Sequence, residues 1–371
     1  MPEDSTRWKT IVPVIEELKD RAKQLGLWNL FLSKRHYPEH GTDFTNLEYA
    51  VMAELLGTWP LRSLQPADHL FQRCWRSMAT AEQQKKWLEP SAFAMTETFI
   101  ASSDATNIRT SLGREGDEIV INGHKWWISG AEQQSVVLVP ADAPGVRVIR
   151  PMKVFGYDDA PEGHCEIIYD NVRVPVTNLV LGWGKGFEII QGRLGPGRIH
   201  HCMRAIGAAS AALDLMLQRV TDPAKKTFGK YLHEHGSVIA DIARSRAEIE
   251  SSRLLVLSAA LQIDNFTAKG ALKEIGIAKF FVPSMALGVI DRAIQAHGAE
   301  GVCQDQHLAK SWAELRTMRI ADGPDAVHLQ QVGQRELRRA NEVVERATAI
   351  KKKEKEILEK AGLRSKSHSY L

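Results

Sequence analysis

One apolar stripe constrains this chain more than any other feature in it. Val238, Ile242, Ile249, Val256 and Ile263 stand four and then seven residues apart. That spacing keeps one face of a helix apolar for about seven turns, and such a face needs other helices to cover it. Ser237 stands where an N-cap is expected. Two more runs of helical period lie between Ala271 and Ala296 and between Asp325 and Ala347. This part of the chain is therefore predicted to be a bundle of long antiparallel helices.

The texture upstream is different. Residues 6 to about 60 read as helical, with Ile15, Leu18, Ala22 and Leu25 at helical spacing and a second run from Leu47 to Leu56. Gly26 is placed to end the first helix, and Thr45 to cap the second with Tyr49 and Met52 on its buried side. From Phe93 to about Val180 the chain turns to short apolar runs divided by turn residues. Arg114-Glu115-Gly116-Asp117 reads as a hairpin turn feeding a strand at Glu118–Gly123. Ser135–Val139, Val146–Arg150 and Val172–Val174 are further strand candidates. Strands with no long helix between them predict a small antiparallel barrel or sandwich. The expected fold is mainly α with a central β domain. Residues 1–92 form a helical domain, 93–185 the β domain, 186–348 the bundle and 349–371 a charged tail.

Composition narrows the function. With 371 residues and 44% apolar content the chain can bury a core without staples. No apolar run is long enough to span a bilayer. The acidic opening, Met1 to Ser5, suits neither a secretory signal nor an Arg-rich presequence. A soluble intracellular protein is expected, with mitochondrial, peroxisomal and cytoplasmic homes left open. Ser369-Tyr370-Leu371 ends like a peroxisomal signal without its basic middle residue. Net charge is +3, yet cations outnumber anions by four in 351–366 alone. The body is thus close to neutral, which argues against nucleic-acid binding. The tail reads as a solvated helix, with a polyanion or membrane-surface contact as the alternative. The four cysteines form no CxxC pair. His200-His201-Cys202 is the one dense cluster of soft ligands, but neighbours on a helix diverge, so no metal is expected and the histidines read as structural.

No Walker loop or GxGxxG follows a strand, and Gly182-Trp183-Gly184-Lys185-Gly186 reads as a domain-crossing turn. Three other segments carry more. Phe93-Ala94-Met95-Thr96-Glu97, followed by Ala101-Ser102-Ser103-Asp104, packs small and hydroxyl residues densely enough for a polar planar ligand to approach. In Asn122-Gly123-His124-Lys125-Trp126-Trp127-Ile128-Ser129-Gly130, an indole can stack on a flat ring while Ser129 bonds its polar edge. Ordinary packing of a tryptophan pair is the competing explanation. In Ile320–His328, Pro324 pushes Gly323 out of helical geometry. Asp322 then sits in a turn, Asp325 caps the next helix, and the Asp322 carboxylate is available for chemistry.

Jointly these segments resemble the acyl-CoA dehydrogenase family, in particular the branch whose mammalian members fuse this module to a kinase-like domain. The resemblance covers nearly the whole chain. It includes Gly26–Leu32, Val174-Pro175 with Leu181 to Phe187, Gly192–Arg198 and Gln295-Ala296-His297-Gly298-Ala299-Glu300-Gly301. It implies FAD between the β domain and the bundle, with Met95, Thr96, Ser103, Trp127 and Ser129 around the isoalloxazine. Gln295, Gly298 and Gly301 match the stretch that reaches the FAD of a neighbouring subunit, which implies a homodimer or homotetramer. Lys225, three before Phe228-Gly229, stands where the family commonly has an arginine on the pyrophosphate; lysine keeps the charge without the bidentate fork. Asp322 matches the catalytic base, usually glutamate, and Arg198 falls near the substrate thioester. The implied reaction is α,β-dehydrogenation of an acyl-CoA to the 2-enoyl-CoA, as in fatty acid β-oxidation. Its electron acceptor would be an electron-transfer flavoprotein or oxygen.

The chain departs from this pattern in three places. Residues 58–79 match nothing in the family, Glu89-Pro90 joins Ser91 where relatives have an extra turn and loop, and Gly130–Gln134 replaces a segment with a central strand. A missing strand would leave an unpaired edge beside the flavin. Three readings stay open: an active dehydrogenase, a catalytically impaired splice or gene-model variant serving as an oligomer partner, and an acyl-CoA oxidase.

Overall fold

The computed structural model describes residues 8, 13–28, 30, 34, 41–58, 80, 82–83, 94–104, 107–127, 136–160 and 163–363. Most of 58–90, Ser129 and the segment 130–134 lie outside them.

Two helices lead. α1 spans Pro13–Gln24 and ends where expected, with Gly26 at φ 69. The Leu27 N–H reaches back to the Ala22 carbonyl, as a left-handed C-terminal glycine allows. α2 spans Asn46–Gly57, and the expected Thr45 cap is present as a full capping box with Glu48. Asp264 from a later helix adds a second cap, accepting from the N–H groups of Asn46 and Leu47. Tyr49 is buried, as expected.

The β domain is built on one antiparallel sheet in the order β1-β2-β5-β4, with β1 Ser111–Glu115, β2 Glu118–Lys125, β4 Val146–Pro151 and β5 Cys165–Pro175. The β1–β2 hairpin turns at Gly116, whose φ of 61 supplies the left-handed corner. Among the described residues of the Ser135–Val139 run only β3, Val136–Val137, is strand, and it pairs with β6, Leu179–Val180. The β5 strand begins well before the predicted Val172, because its half-buried first half lacks a clean alternation. Ile119, Ile121, Val172 and Val174 form this domain's core.

The C-terminal half is helical: α3 Gly186–Thr221, α4 Gly236–Gly270, α5 Leu272–His297, α6 Ala299–Val302, α7 Leu308–Met318, α8 Asp325–Leu337 and α9 Ala340–Lys360. A short hairpin, β7 Lys226–Thr227 and β8 Lys230–Tyr231, joins α3 to α4. The stripe is buried as its spacing requires: Ile249, Val256 and Ile263 enter the main core, and Val238 and Ile242 pack against it. Three expectations need correction. Ser237 is not the cap of α4; His235 holds that position in extended conformation. Asp325 is the first residue of α8 rather than its cap, since its carboxylate accepts from Arg319 Nε at 2.6 Å. The single helix predicted over 325–347 is two, broken at Arg338 and Arg339. The charged end is helical through Lys360 and buries no residue.

Helix α2 crosses α3 at backbone distance. A Cβ on Gly57 would lie 2.2 Å from the Arg204 carbonyl oxygen, and one on Gly207 would lie 2.1 Å from that of Glu54. Arg253 on α4 holds the same Glu54 with Nε–O distances of 3.0 and 2.8 Å. Gly207→Ala is therefore expected to force the helices apart and cost about 1–3 kcal/mol. Gly333→Ala on α8, where a Cβ meets nothing within 4 Å, is expected to be neutral or to stabilise by up to ~1 kcal/mol. Thermal melts of the two variants side by side check the contrast.

Candidate active site

The turn between α7 and α8 carries Asp322 in a left-handed conformation, φ 55, followed by Gly323 at φ 102. Aspartate tolerates that region better than most residues, whereas a Cβ on Gly323 would lie 2.7 Å from His328 Nε2. Three helices converge on this turn. From α3, Arg198 Nε donates to the Asp322 carbonyl at 3.0 Å, and His201 Nε2 lies 3.4 Å from its carboxylate Oδ2. From α8, His328 Nε2 sits 3.3 Å from the same carbonyl; a carbonyl only accepts, so Nε2 must carry the hydrogen. From α5, the Lys279 ammonium bonds the carbonyls of Met318 and Gly323.

Burial sets the ionisation of the surrounding groups. It takes the His328 imidazole down to about 4, helped by the Arg198 and Lys279 charges, so this ring is neutral at neutral pH. It pushes the Cys202 thiol up to about 12 against the pull of Lys279 and Arg198. His200 is buried and stacked on Tyr49, with rings 5.7 Å apart, and burial holds it well below its ordinary value. Of the histidine pair, His200 is thus structural while His201 faces the carboxylate. Among the described residues no group of three His, Cys, Asp or Glu could hold a metal ion.

A second locus sits where the chain enters and leaves β2. Glu97, 5% exposed, forms a 2.8 Å ion pair with Lys125. It also accepts from the N–H groups of Arg109 and Thr110 and from the Thr110 hydroxyl, at 2.8, 2.9 and 2.6 Å. Burial works to raise the Glu97 carboxyl, but Lys125 and these donors outweigh it and bring it to about 2. Lys125 also donates to the Met95 carbonyl at 2.9 Å. Trp126 N–H donates to the Thr96 carbonyl at 3.0 Å, and the Thr96 hydroxyl donates to the Trp126 carbonyl. The pair therefore fastens Met95 and Thr96 beside Trp127, whose φ of 50 turns the chain sharply there. The Trp127 ring centres 5.7 Å from that of His164. Ser103 is exposed in a nearby turn, and Ser129 lies outside the described residues.

The remaining predicted residues gather elsewhere. Phe228 is 95% exposed at the tip of the β7–β8 hairpin, and Lys225 precedes that hairpin. Gln295 is exposed at the end of α5. Gly298 turns the chain at φ 65, and Gly301 is buried where a Cβ would meet the Ile294 carbonyl at 2.6 Å. Arg219 on α3 holds the α5–α6 turn, donating to Glu300 and to the His297 carbonyl at 2.8 and 3.0 Å, and the Lys225 charge acts on the same Glu300. Arg198 and Arg219 are both on α3, and at 1.5 Å per residue this cluster lies about 30 Å along the helix from Asp322. The structure thus brings Arg198 to Asp322 and leaves Lys225, Phe228, Gln295, Gly298 and Gly301 away from that turn.

These loci fit FAD by their chemistry. Among the described residues the backbone N–H groups of Met95, Thr96 and Trp127 meet no acceptor, and a ring edge of carbonyl oxygens and nitrogens needs such donors. Reading the chain alone missed Lys279, His201, His328 and the Glu97–Lys125 pair. The available signal was a lone lysine inside the apolar run Ile275–Val282.

A helical lead, a β domain and a helical bundle with a carboxylate turn at its edge define an acyl-CoA dehydrogenase-like fold. The acyl-CoA dehydrogenase C-terminal domain family matches residues 184–337. The Mycobacterium tuberculosis protein named Probable acyl-CoA dehydrogenase FadE2 is 47% identical over 364 residues, covering 89% of this chain and 87% of its own length. The Arabidopsis thaliana protein named Probable acyl-CoA dehydrogenase IBR3 is 44% identical over 397 residues, covering 92% of this chain and 48% of its own length. The chain thus spans about half the length of that plant relative. A solved Mycobacterium abscessus structure, assigned as an acyl-CoA dehydrogenase, superposes with a TM-score of 0.83 at 41% identity, covering 90% of this chain and 88% of that one. PigA, solved as an FAD complex, shares the fold at 19% identity with a TM-score of 0.73, covering 86% of this chain and 88% of that one. The chain belongs to the acyl-CoA dehydrogenase family. The 397 aligned positions of IBR3 exceed the 371 residues present here, so that relative has segments this chain lacks.

Proposed function

We propose that the chain is an FAD-dependent acyl-CoA dehydrogenase in which Asp322 removes the α-proton of an acyl-CoA thioester. The observation that carries this reading is the Asp322 turn, with its backbone anchored by Arg198 and His328 and its carboxylate facing His201. A base must be held within hydrogen-bond reach of the proton it takes. Anchoring the turn's backbone from three helices fixes where the carboxylate stands, which compensates for a side chain shorter than glutamate. FAD, when bound, supplies the hydride acceptor for the substrate β-carbon. Met95, Thr96 and Trp127 would hold its ring edge, and Ser103 and Ser129 its ribityl side. Arg198 orients the base in addition to any contact with the thioester.

The about 30 Å between Asp322 and the Lys225–Phe228–Gln295–Gly298–Gly301 group supports an oligomer of at least two chains. The second group would then serve the FAD of a neighbouring copy, with Lys225 on the pyrophosphate. The electrons would pass to an electron-transfer flavoprotein, or to oxygen if the chain acts as an oxidase. A catalytically impaired variant is the second reading, favoured by the segments that IBR3 has and this chain lacks.

An absorbance spectrum followed by anaerobic addition of a long-chain acyl-CoA tests the proposal. Flavin bands that bleach on addition are expected. Bands that persist favour the impaired variant, and a colourless protein that cannot be reconstituted with FAD would overturn the cofactor assignment.

A further inference from the structure

Helix α9, Ala340–Lys360, is 21 residues long and buries none of them against the described residues. Its apolar residues are nonetheless sorted. Val343, Ile350 and Ile357 stand seven apart and so form one row along the helix, with Ala347 and Leu358 beside it. Ile350 and Ile357 are 61% and 59% exposed. A helix that only needs water has no use for such a row, since isoleucine is a poorer helix former than the lysine and glutamate around it.

The charges are sorted about the same row. Arg346, Lys353 and Lys360 also stand seven apart, and they run along one border of the apolar row; Lys351 and Lys355 lie along the other. Glu345, Glu356 and Glu359 fall on the opposite face, with Lys352 among them. Two glutamates depart from this order, Glu342 on the first border and Glu354 within the apolar row.

The cationic borders decide what fits the face. Against a second copy of α9, each border would meet itself in an antiparallel pair, cation against cation. In a parallel pair the Arg346–Lys353–Lys360 row would meet the border of Lys351, and like charges oppose association there too. A soluble polyanion would satisfy the cations but leave the isoleucines in water. An anionic bilayer surface satisfies both. The apolar row enters the acyl boundary, the lysine stems lie along it with their ammonium groups at the headgroup phosphates, and the far glutamates face water. Such a helix lies in the surface plane, since among the described residues no helix is long and apolar enough to cross a membrane.

We propose that α9 is a lipid-binding element that lays the chain on an anionic phospholipid surface. Nothing in this depends on the reaction proposed above.

Flotation of the full chain with vesicles tests it, comparing phosphatidylcholine alone with phosphatidylcholine enriched in phosphatidylserine. Binding is expected to the enriched vesicles only, and to weaken steeply as salt screens the cations. Ile350→Gln combined with Ile357→Gln is expected to reduce the affinity at least about tenfold, because less apolar area is inserted. Lys353→Gln and Lys360→Gln are each expected to reduce it about fivefold. Lys352→Gln, on the far face, is expected to change it least, and Glu354→Gln to tighten it. Since α9 buries no residue, these variants are expected to keep the parent's circular dichroism melt. No binding to the enriched vesicles would overturn the proposal, as would binding that survives loss of both isoleucines. Equal losses from Lys352→Gln and Lys353→Gln would overturn it too, since net charge alone would then drive the contact. Sedimentation identifies the rival occupant. A chain that ignores vesicles, but whose oligomer dissociates when both isoleucines are replaced, uses α9 as an interface between copies, and the proposal fails.

Discussion

Asp322→Asn is expected to slow flavin reduction by acyl-CoA at least about 10²-fold while the bound FAD keeps its colour. The reason lies in how the turn is held. Arg198 and His328 grip the Asp322 carbonyl, and Lys279 grips the carbonyls of Met318 and Gly323. None of these contacts needs the carboxylate, and asparagine tolerates the left-handed backbone at φ 55 as well as aspartate does. The amide therefore keeps the shape and removes the basicity. The change also weakens the contact with His201 at 3.4 Å. Anaerobic stopped-flow at the flavin bands checks the result. An undiminished rate would show that another group takes the proton.

Glu97→Gln is expected to be the most destabilising single change in the β domain. Glu97 and Lys125 are 5% and 3% exposed, and removing one charge of a buried pair leaves the other uncompensated, at a cost of about 3–5 kcal/mol. The damage would reach the locus proposed for the flavin, because Lys125 also holds the Met95 carbonyl and Glu97 gathers the backbone of Arg109 and Thr110. The pH dependence follows in sign. Glu97 titrates at about 2 in the folded chain against an ordinary 4.5, so the unfolded chain binds its proton first. Its stabilisation is complete above 4.5 and is lost as pH falls toward 2. Denaturant titrations of the parent protein are expected to show stability falling through that window. Glu97→Gln, already weaker at pH 7, is expected to fall less steeply across it. Equal stability of the two proteins at pH 7 would mean that the pair is not an organising contact.

The same physics separates what was readable in the chain from what was not. Asp322 was legible because its cause is local: Pro324 restricts Gly323, and a turn ahead of a helix follows from two adjacent residues. Thr45 was legible for the same reason, since a capping box is complete within four residues. Asp325 looked like a cap by the same rule and is not one, because Arg319 claims its carboxylate. The long stripe of α4 reported its burial correctly, since an apolar face repeated over many turns has few alternatives. The break at Arg338 and Arg339 left no such mark: neither proline nor glycine stands there, and the helical period runs on through it.

Sequence by itself thus determined the three-part architecture and the Asp322 turn, each from short-range geometry or periodicity. Tertiary structure alone decided that Lys279 is buried behind that turn, that His201 rather than His200 faces the carboxylate, and that Glu97 and Lys125 pair although 28 positions apart. It also placed the Gln295–Gly301 turn about 30 Å along α3 from Asp322. In each case the function of a charge depends on which other groups share its low-dielectric surroundings, and that is settled only when distant segments pack together.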